Sequence, residues 1–256
     1  MIRGTWDHAA VGLTLVASLL PVIAALVFDQ GADVVPRIVI AALVVAGWQV
    51  VFRVALGVAF APAGAVIAVA VGALAPQEAP LWQIMIAVSF GTVIGELVFG
   101  GWGRNMLSAG VVTLAFLSLS LPSAQFVPPG DLVAWACLPG AVILLATGIL
   151  PLSVVLAASG AFAAAAYGLG LETVPCAPLV FALVWLVADP VASAATPLGR
   201  WIYGALAGAL AAVLLAGPAD AAKAAVFGAL LAQIFAPLID QGVIALAQAR
   251  RKARHG

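Results

Sequence analysis

The chain has 256 residues, of which 65% are hydrophobic and 8% charged, with ten basic and ten acidic side chains and no net charge. Soluble domains have about 25% charged residues, so this composition, with a mean hydropathy of +1.23, excludes a water-soluble fold. Apolar runs of about 20 residues, long enough to cross a bilayer as helices, recur along the chain without the alternation typical of barrel strands. The predicted fold class is therefore all-α and polytopic.

The sequence predicts about ten transmembrane helices. The first has no cleavage pattern behind it, which indicates a retained span rather than a signal peptide. In chain order the predicted spans are 9–28, 36–52, 56–75, 81–100, 105–121, 132–150, 152–170, 176–199, 201–217 and 222–248. We expect one membrane domain made of two five-helix halves, 1–131 and 132–256, which an odd number of spans per half would invert relative to each other.

The basic residues predict the orientation. An even number of spans places both termini on one side, and only Arg37 and Lys223 fall on the other. By the positive-inside rule both termini are cytoplasmic, and we expect a bacterial inner-membrane protein. The tail is most simply a topology signal, with a lipid or partner contact as the alternative. The basic residues on the predicted cytoplasmic side are Arg3, Arg53, Arg104, Arg200, Arg250, Arg251, Lys252 and Arg254.

Two predicted spans contain helix-breaking residues. The fifth begins behind the glycine-rich string GGWGRN at 100–105, and the eighth is interrupted by ADPVASAATP at 188–197. Breaks at membrane depth survive only where protein or a cavity satisfies the freed backbone groups. Paired breaks in two halves therefore predict a binding site near the midplane, and a proline kink used for packing is the alternative.

Three acidic residues interrupt apolar runs: Glu96, Asp189 and Asp240. A carboxylate in hydrocarbon costs at least about 2.5 kcal/mol, so each should face a partner or a wet cavity. We therefore assign all three to a candidate ion or proton path, with Asp189 at the break as its best member. For Glu96 and Asp240 the favoured alternative is a structural pairing, for instance with Arg104 or Arg200.

Three strings in order carry a resemblance: FGTVIGELVFGGWGRN at 90–105, VADPVASAATPLGRWIYGALAGAL at 187–210 and AQIFAPLID at 232–240. With them the chain resembles a divergent, shortened member of the membrane-subunit family that the sodium-translocating NADH:quinone reductase and the Rnf electron-transport complex share. The likeness covers nearly the whole chain. It implies ten helices in two inverted halves, an architecture related to urea channels.

The resemblance also implies a cofactor region. The family pattern after the glycine turn is roughly GxGxNxxNPA and lies close to a non-covalent riboflavin. Here Asn105 keeps the first asparagine, whereas Ser108 replaces the second. Asn105 with Arg104 is the candidate for polar contacts to the flavin, and a helix cap is the alternative for Asn105. The implied cofactor-binding residues are Gly101, Gly103, Arg104, Asn105 and Ser108.

Covalent FMN is not expected. The family usually esterifies FMN to a threonine in the external loop after the fifth span, and here that loop, SAQFVPPGD at 123–131, has no threonine. The tetrapeptide 193–196 looks similar to a flavinylation motif. However, its Thr196 lies close to Arg200 on the predicted cytoplasmic side, whereas the family attaches flavin outside the cytoplasm, so attachment at Thr196 is not expected on this topology.

No metal site is expected. Cys137 and Cys176 lack the spacing of a metal site; isolated thiols are the favoured interpretation, with a disulfide or a cluster shared with another subunit as alternatives. His8 and His255 are terminal, so no histidine lies within a predicted span. The sequence shows no nucleic-acid footprint beyond its tail.

The favoured function is an integral membrane subunit of an Rnf-like or NADH:quinone-reductase-like electron-transfer complex. It would hold a non-covalent flavin or quinone near 101–108 and is a candidate for coupling electron flow to cation transport. Such a chain is a subunit of an ion-translocating oxidoreductase rather than a self-sufficient enzyme. Implied partners are other membrane and flavin or iron–sulfur subunits and the lipid bilayer, with no nucleic acid. The alternatives are a channel or transporter for a small solute on the same fold, or a non-redox scaffold subunit.

Overall fold

The computed structural model describes residues 8–121, 124, 129–171, 174 and 176–255, with side chains through Arg251. Most of the loop 123–131, on which the covalent FMN prediction depends, lies outside these residues. In the described ranges the regular elements are helical. In chain order they are α1 (His8–Gln30), α2 (Val34–Leu56), α3 (Ala65–Leu74), α4 (Leu81–Gly95), α5 (Ala109–Ser120), α6 (Asp131–Ala146), α7 (Leu152–Gly168), α8 (Cys176–Ala182), α9 (Pro197–Ala216) and α10 (Ala221–His255).

Five stretches are long and apolar enough to cross a membrane: α1, α2, α9, α4 extended by a 3₁₀ turn to Phe99, and α10 through Arg251. The remaining apolar stretches in the described part of the chain have 10–17 residues, fewer than the roughly 20 that a straight crossing requires. The chain is therefore an all-helical, multi-pass membrane protein, as its composition predicts.

The ten helices fall at the positions of the ten predicted spans, but two spans differ in extent. The third span was expected from residue 56, yet residues 57–61 are not helical, and a 3₁₀ turn begins at Pro62. The eighth was expected to reach residue 199. Instead α8 continues only through a π-helical turn, Leu183–Val187, and residues 188–196 are irregular before α9 begins at Pro197. The predicted break in the eighth span is confirmed, and the last residues of that span, 197–199, belong to α9.

Small residues allow the helices to approach closely. On α9, Gly204 and Gly208 lie against the backbone of Val154 and Ala158 on α7, where an added Cβ would overlap the neighbouring carbonyl oxygens. Helices in membranes associate through such contacts because burial from lipid gives little hydrophobic driving force. The short helix α3 is the most enclosed element, with every residue from Val66 to Leu74 buried.

Candidate functional site

The two interrupted regions of the chain meet at one side chain of α10. The Gln233 amide, fully buried, donates from Nε2 to the carbonyl of Leu186 at 2.8 Å and accepts at Oε1 from the backbone N–H of Ser108 at 2.9 Å. Leu186 lies in the π-helical turn that follows α8, and Ser108 directly precedes α5. Gln233 therefore satisfies one freed backbone group from each broken helix.

A second buried side chain forms a hydrogen bond at the same end of α8. The hydroxyl of Tyr203, on α9, donates to the carbonyl of Val187 at 2.7 Å, and the side chain is 0% exposed. The end of a helix leaves carbonyls without partners, and water cannot supply donors deep in the protein. Together Tyr203 and Gln233 allow the helix to stop inside the protein.

Two acidic side chains share a polar neighbourhood at this junction. Asp189 Oδ1 accepts hydrogen bonds from the backbone N–H groups of Val191 at 2.8 Å and Ala192 at 3.1 Å, and its carboxylate also interacts with the Ser108 side chain. Glu96 is only 3% exposed and lies within electrostatic reach of Asp189. The structure thus brings together the two predicted acids that flank the two breaks.

Protein groups provide hydrogen bonds to only part of the Glu96 carboxylate. It interacts with the backbone N–H of Trp102, but its Oε1 has no hydrogen-bond partner among the described residues. The only salt bridge in the described part of the chain joins Lys223 to Asp220 at 3.4 Å, so the suggested pairing of Glu96 with Arg104 is not formed. Carboxylate and hydroxyl oxygens are the ligands that hard cations prefer.

Asp240 lies apart from this pair. Its carboxylate accepts from the backbone N–H groups of Ala195 at 2.8 Å and Thr196 at 3.0 Å, and from the Thr196 hydroxyl at 2.5 Å. The structural pairing expected for Asp240 is therefore present, but with the turn before α9 rather than in an ion pair with Arg200. This turn links α10 to the start of α9.

The glycine-rich turn forms one wall of a cavity of about 700 Å³. Gly100, Gly101 and Gly103 have φ of +103°, +94° and +98°, a backbone conformation that favours glycine. A Cβ on Gly103 would lie 3.0 Å from the His8 ring. The opposite wall is the segment 56–61 after α2, and the side chains of Trp102 and Arg104 also line the cavity.

The five predicted cofactor residues separate into two groups. Gly103 and Arg104 line this cavity, and Gly101 lies in the same turn. Asn105 is buried, and its amide holds the turn: Oδ1 accepts from the Gly103 N–H at 3.2 Å, and Nδ2 donates to the Leu107 carbonyl at 2.8 Å. Asn105 is not a helix cap, because Ser108 occupies that position before α5. Ser108 faces Gln233 and Asp189 instead of the cavity.

A neighbouring cavity of about 370 Å³ connects the two broken regions. It shares Trp102 and Gly103 with the first cavity and is closed on the other side by Pro190 and Val191. The indole of Trp102 meets the His8 ring edge-on, with 5.9 Å between ring centroids. Ligands in broken-helix folds bind at such junctions, so this is the candidate binding site.

Two further observations concern the cysteines and the possible metal ligands. Both cysteines are free thiols, with Cys137 buried and Cys176 exposed. The described residues contain no cluster of three or more His, Cys, Asp or Glu side chains that could hold a metal ion. Sequence reasoning did not single out Gln233 or Tyr203, although an amide inside the apolar string AQIFAPLID was a usable signal.

These features define a multi-pass membrane protein in which two broken helices meet at a buried polar cluster beside a glycine-walled cavity. The model of the NQR2, RnfD, RnfE family matches residues 1–136 and 125–247. The chain belongs to this family, as the three sequence strings predict.

The chain is similar to the B subunit of the Na(+)-translocating NADH-quinone reductase from several bacteria. It is 27% identical to the Pseudomonas aeruginosa (strain LESB58) protein over 239 positions, covering 71% of this chain and 59% of that protein. It is 26% identical to the Yersinia pestis protein over 321 positions, covering 99% of this chain and 77% of that protein. The chain therefore spans only 59% of the length of the Pseudomonas relative.

The alignment with the Yersinia protein is longer than this chain, at 321 positions against 256 residues. The relative thus contains segments that this chain lacks. This agrees with the prediction of a shortened family member.

Proposed function

We propose that this chain is an integral membrane subunit of an Rnf-like or NADH:quinone-reductase-like electron-transfer complex and holds a non-covalent flavin or quinone in the cavity beside Trp102, Gly103 and Arg104. The observation that carries the proposal is this cavity of about 700 Å³, since ligand pockets measure roughly 300–1,000 Å³. The similarity of the chain to subunits of NADH-quinone reductase supports the redox part of the proposal. Its partners are then other membrane subunits and flavin or iron–sulfur subunits.

The lining residues fit a flat ring with carbonyl oxygens. The indole of Trp102 supplies an aromatic surface for stacking, and the Arg104 guanidinium supplies N–H donors for ring oxygens. Glycines at 100 and 103 leave room for the Arg104 side chain and the His8 ring, which pack where a Cβ would lie and so complete the cavity wall. A bound flavin or quinone supplies the electron-transfer chemistry, whereas the protein supplies binding and orientation.

The carboxylates of Glu96 and Asp189 are the proposed link to cation movement. Glu96 interacts with the backbone of Trp102, which lines the cavity, and is within electrostatic reach of Asp189. A change of charge on a ligand in the cavity would therefore alter the energy of a cation or proton held by the pair. Asp240 is bound to the turn before α9 and contributes to this path only by positioning that turn.

The helix pattern supports two inverted halves, 1–131 and 132–256, with about ten crossings. The third helix of each half is short, since α3 and α8 have 10 and 7 residues. In both halves an irregular segment follows, and the fourth helix begins at a proline-containing turn, Pro80–Leu81 or Thr196–Pro197. Corresponding breaks are expected in inverted repeats. Both termini would then lie in the cytoplasm, with the chain in the bacterial inner membrane.

The buried cluster favours this function over a solute channel. Gln233 and Tyr203 are both 0% exposed, and a solute that crossed the protein at the junction of the two broken helices would have to displace them. Their hydrogen bonds would have to break for each transport event. A ligand held beside the junction needs no such opening.

The spectrum and extractable content of the purified full-length protein test the proposal. We expect acid extraction to release riboflavin or quinone from the wild type and from Trp135→Ala, whose indole is 68% exposed on α6. Trp102→Ala should lose the ligand while remaining folded. A colourless wild-type protein without extractable flavin or quinone would contradict the proposal.

A further inference from the structure

An apolar cavity lies between the short helix α8 and the packed pair α7 and α9. It measures about 220 Å³ and shares no lining residue with the two cavities beside Trp102. The residues that line it from α8, from the π-helical turn after α8 and from α9 are Leu179, Val180, Leu183, Ala207, Gly208 and Ala211. It is therefore a site distinct from the junction of the two broken helices.

The packing of the helices explains why this cavity is open. Helix α8 packs against α6 and α10, whereas α7 packs against α9. Across the gap from α8, α9 presents only the small residues Ala207, Gly208 and Ala211, and these cannot fill the space. Protein interiors contain few voids larger than a water molecule. A void of this size therefore leaves room for a molecule from outside the protein.

The cavity lies at the depth of the bilayer hydrocarbon. Helix α9 is long enough to cross a membrane, and Ala207, Gly208 and Ala211 lie at least five residues inside either of its ends. Two further lining residues, Ser159 in the middle of α7 and Cys176 at the start of α8, are exposed, so the cavity opens between these helices. Because the bilayer core contains lipid chains and no water, the molecule that enters is apolar.

The volume of the cavity favours an extended chain over a helix of another subunit. One turn of an α-helix, about 10 Å across and 5.4 Å long, occupies roughly 400 Å³, which is more than the 220 Å³ present. An apolar cavity of about 150 Å³ is large enough to bind benzene, so this one accommodates several methylene groups. None of the described lining residues is an acidic or basic residue that could hold a headgroup inside.

The inner end of the cavity is the end of the broken helix. Leu183 and Val187, the first and last residues of the π-helical turn, both line it. The carbonyl of Val187 accepts the hydrogen bond from the Tyr203 hydroxyl at 2.7 Å. A hydrocarbon chain at this position makes dispersion contacts with α8 that α7 and α9 do not supply across the gap.

We propose that the acyl chain of a bilayer phospholipid occupies this cavity and is a structural ligand of the broken helix α8. Phospholipids supply most of the hydrocarbon at this depth, so we assign the chain to a phospholipid rather than to the isoprenoid tail of a quinone. The assignment does not depend on a flavin or quinone in the candidate site beside Trp102.

Native mass spectrometry of the full-length protein, purified in a mild detergent, tests the proposal. We expect wild type to retain a bound phospholipid and Val180→Trp, whose indole fills the cavity, to lose it. Val213→Trp is the matched control, because Val213 is 56% exposed on α9 and does not line the cavity; it should retain the lipid. Equal retention in Val180→Trp, or a quinone in place of the phospholipid, would overturn the proposal.

Melting temperatures distinguish loss of the lipid site from damage to the fold. Dioleoylphosphatidylcholine should stabilise delipidated wild type, since a ligand that binds the folded state stabilises it. Dihexanoylphosphatidylcholine, with the same headgroup on short chains, should not. Delipidated Val180→Trp should melt no lower than delipidated wild type, because filling a cavity stabilises a protein, and should respond less to the long-chain lipid.

Ser159→Phe fills the cavity from α7 and provides a second variant should Val180→Trp fail to fold. It should lose the retained phospholipid and most of the response to dioleoylphosphatidylcholine. Ala164→Phe is its control, because Ala164 is exposed on the same helix and does not line the cavity. A wild type whose melting temperature responds equally to both lipids has no acyl-chain site, whatever the two variants do.

Discussion

The side-chain carbonyl of Gln233 accepts a hydrogen bond from the backbone N–H of Ser108 at 2.9 Å, and its amide nitrogen donates to the carbonyl of Leu186 at 2.8 Å. Because Gln233 is 0% exposed, water cannot replace it. One amide therefore satisfies backbone groups that two broken helices leave open.

Replacing Gln233 with leucine should destabilise the protein. Two buried backbone groups lose their partner, and each costs about 1–3 kcal/mol when left unsatisfied. We expect the free energy of unfolding to fall by about 2–5 kcal/mol, measured by thermal and denaturant unfolding in detergent. Gln241→Leu on the same helix is the control, because Gln241 is exposed and should change stability little. Equal stability of both variants would show that the junction does not depend on Gln233.

The sequence predicts those features of the fold that depend on neighbouring residues, and it misses those that depend on contacts between distant segments. The apolar runs predict the positions of the ten helices because each run consists of residues adjacent in sequence. Glycine and proline residues predict both breaks. The pairing of Glu96 with Asp189 and the role of Gln233 depend on contacts between distant segments, which one sequence does not show. Asn105 is predicted to contact flavin, with a helix cap as the alternative; its amide holds a turn that contains three glycines with positive φ, so it is not a cap, and the flavin contact stays a prediction.

Gly208 on α9 should not tolerate a larger side chain. A Cβ there would overlap the Ala158 carbonyl of α7, and this contact is with backbone that cannot rotate away. We expect Gly208→Ala to lower the unfolding free energy by about 1–3 kcal/mol through overpacking. Gly160→Ala on α7 is the matched control, since nothing lies within 4 Å of its added Cβ. Alanine has the higher helix propensity, so that variant should be as stable as wild type or more stable.

The hydroxyl of Thr196 should stabilise α9 and carry no flavin. It donates to Asp240 at 2.5 Å and accepts from the Gly199 N–H at 3.1 Å. The hydroxyl therefore acts as both donor and acceptor at the start of the helix. Thr196→Ala should cost about 0.5–2 kcal/mol, the usual loss for an N-cap, whereas Thr196→Ser should retain most of the stability. Intact mass spectrometry of wild type should show no added FMN, and a flavin adduct lost in Thr196→Ala would contradict this prediction.

Neutralising Glu96 should stabilise the protein, in contrast to the substitutions at Gln233, Gly208 and Thr196. Glu96 lies within electrostatic reach of Asp189 without a basic partner among the described residues, and two close carboxylates repel when both are ionised. We expect Glu96→Gln to raise the melting temperature. The gain should grow between pH 6 and pH 9, because the repulsion in wild type requires both charges. Glu78→Gln, in the exposed turn before α4, should show no such dependence.

The effect of sodium on the melting temperature provides a second test of the pair Glu96 and Asp189. If Glu96 and Asp189 hold a cation between them, NaCl should raise the melting temperature of wild type more than choline chloride at equal ionic strength, since a ligand that binds the folded state stabilises it. Glu96→Gln and Asp189→Asn should both lose the difference between the two salts, and Glu78→Gln should keep it. A wild type that responds equally to both salts, yet is destabilised by Glu96→Gln at every pH, would show that Glu96 acts only as an acceptor for the Trp102 N–H.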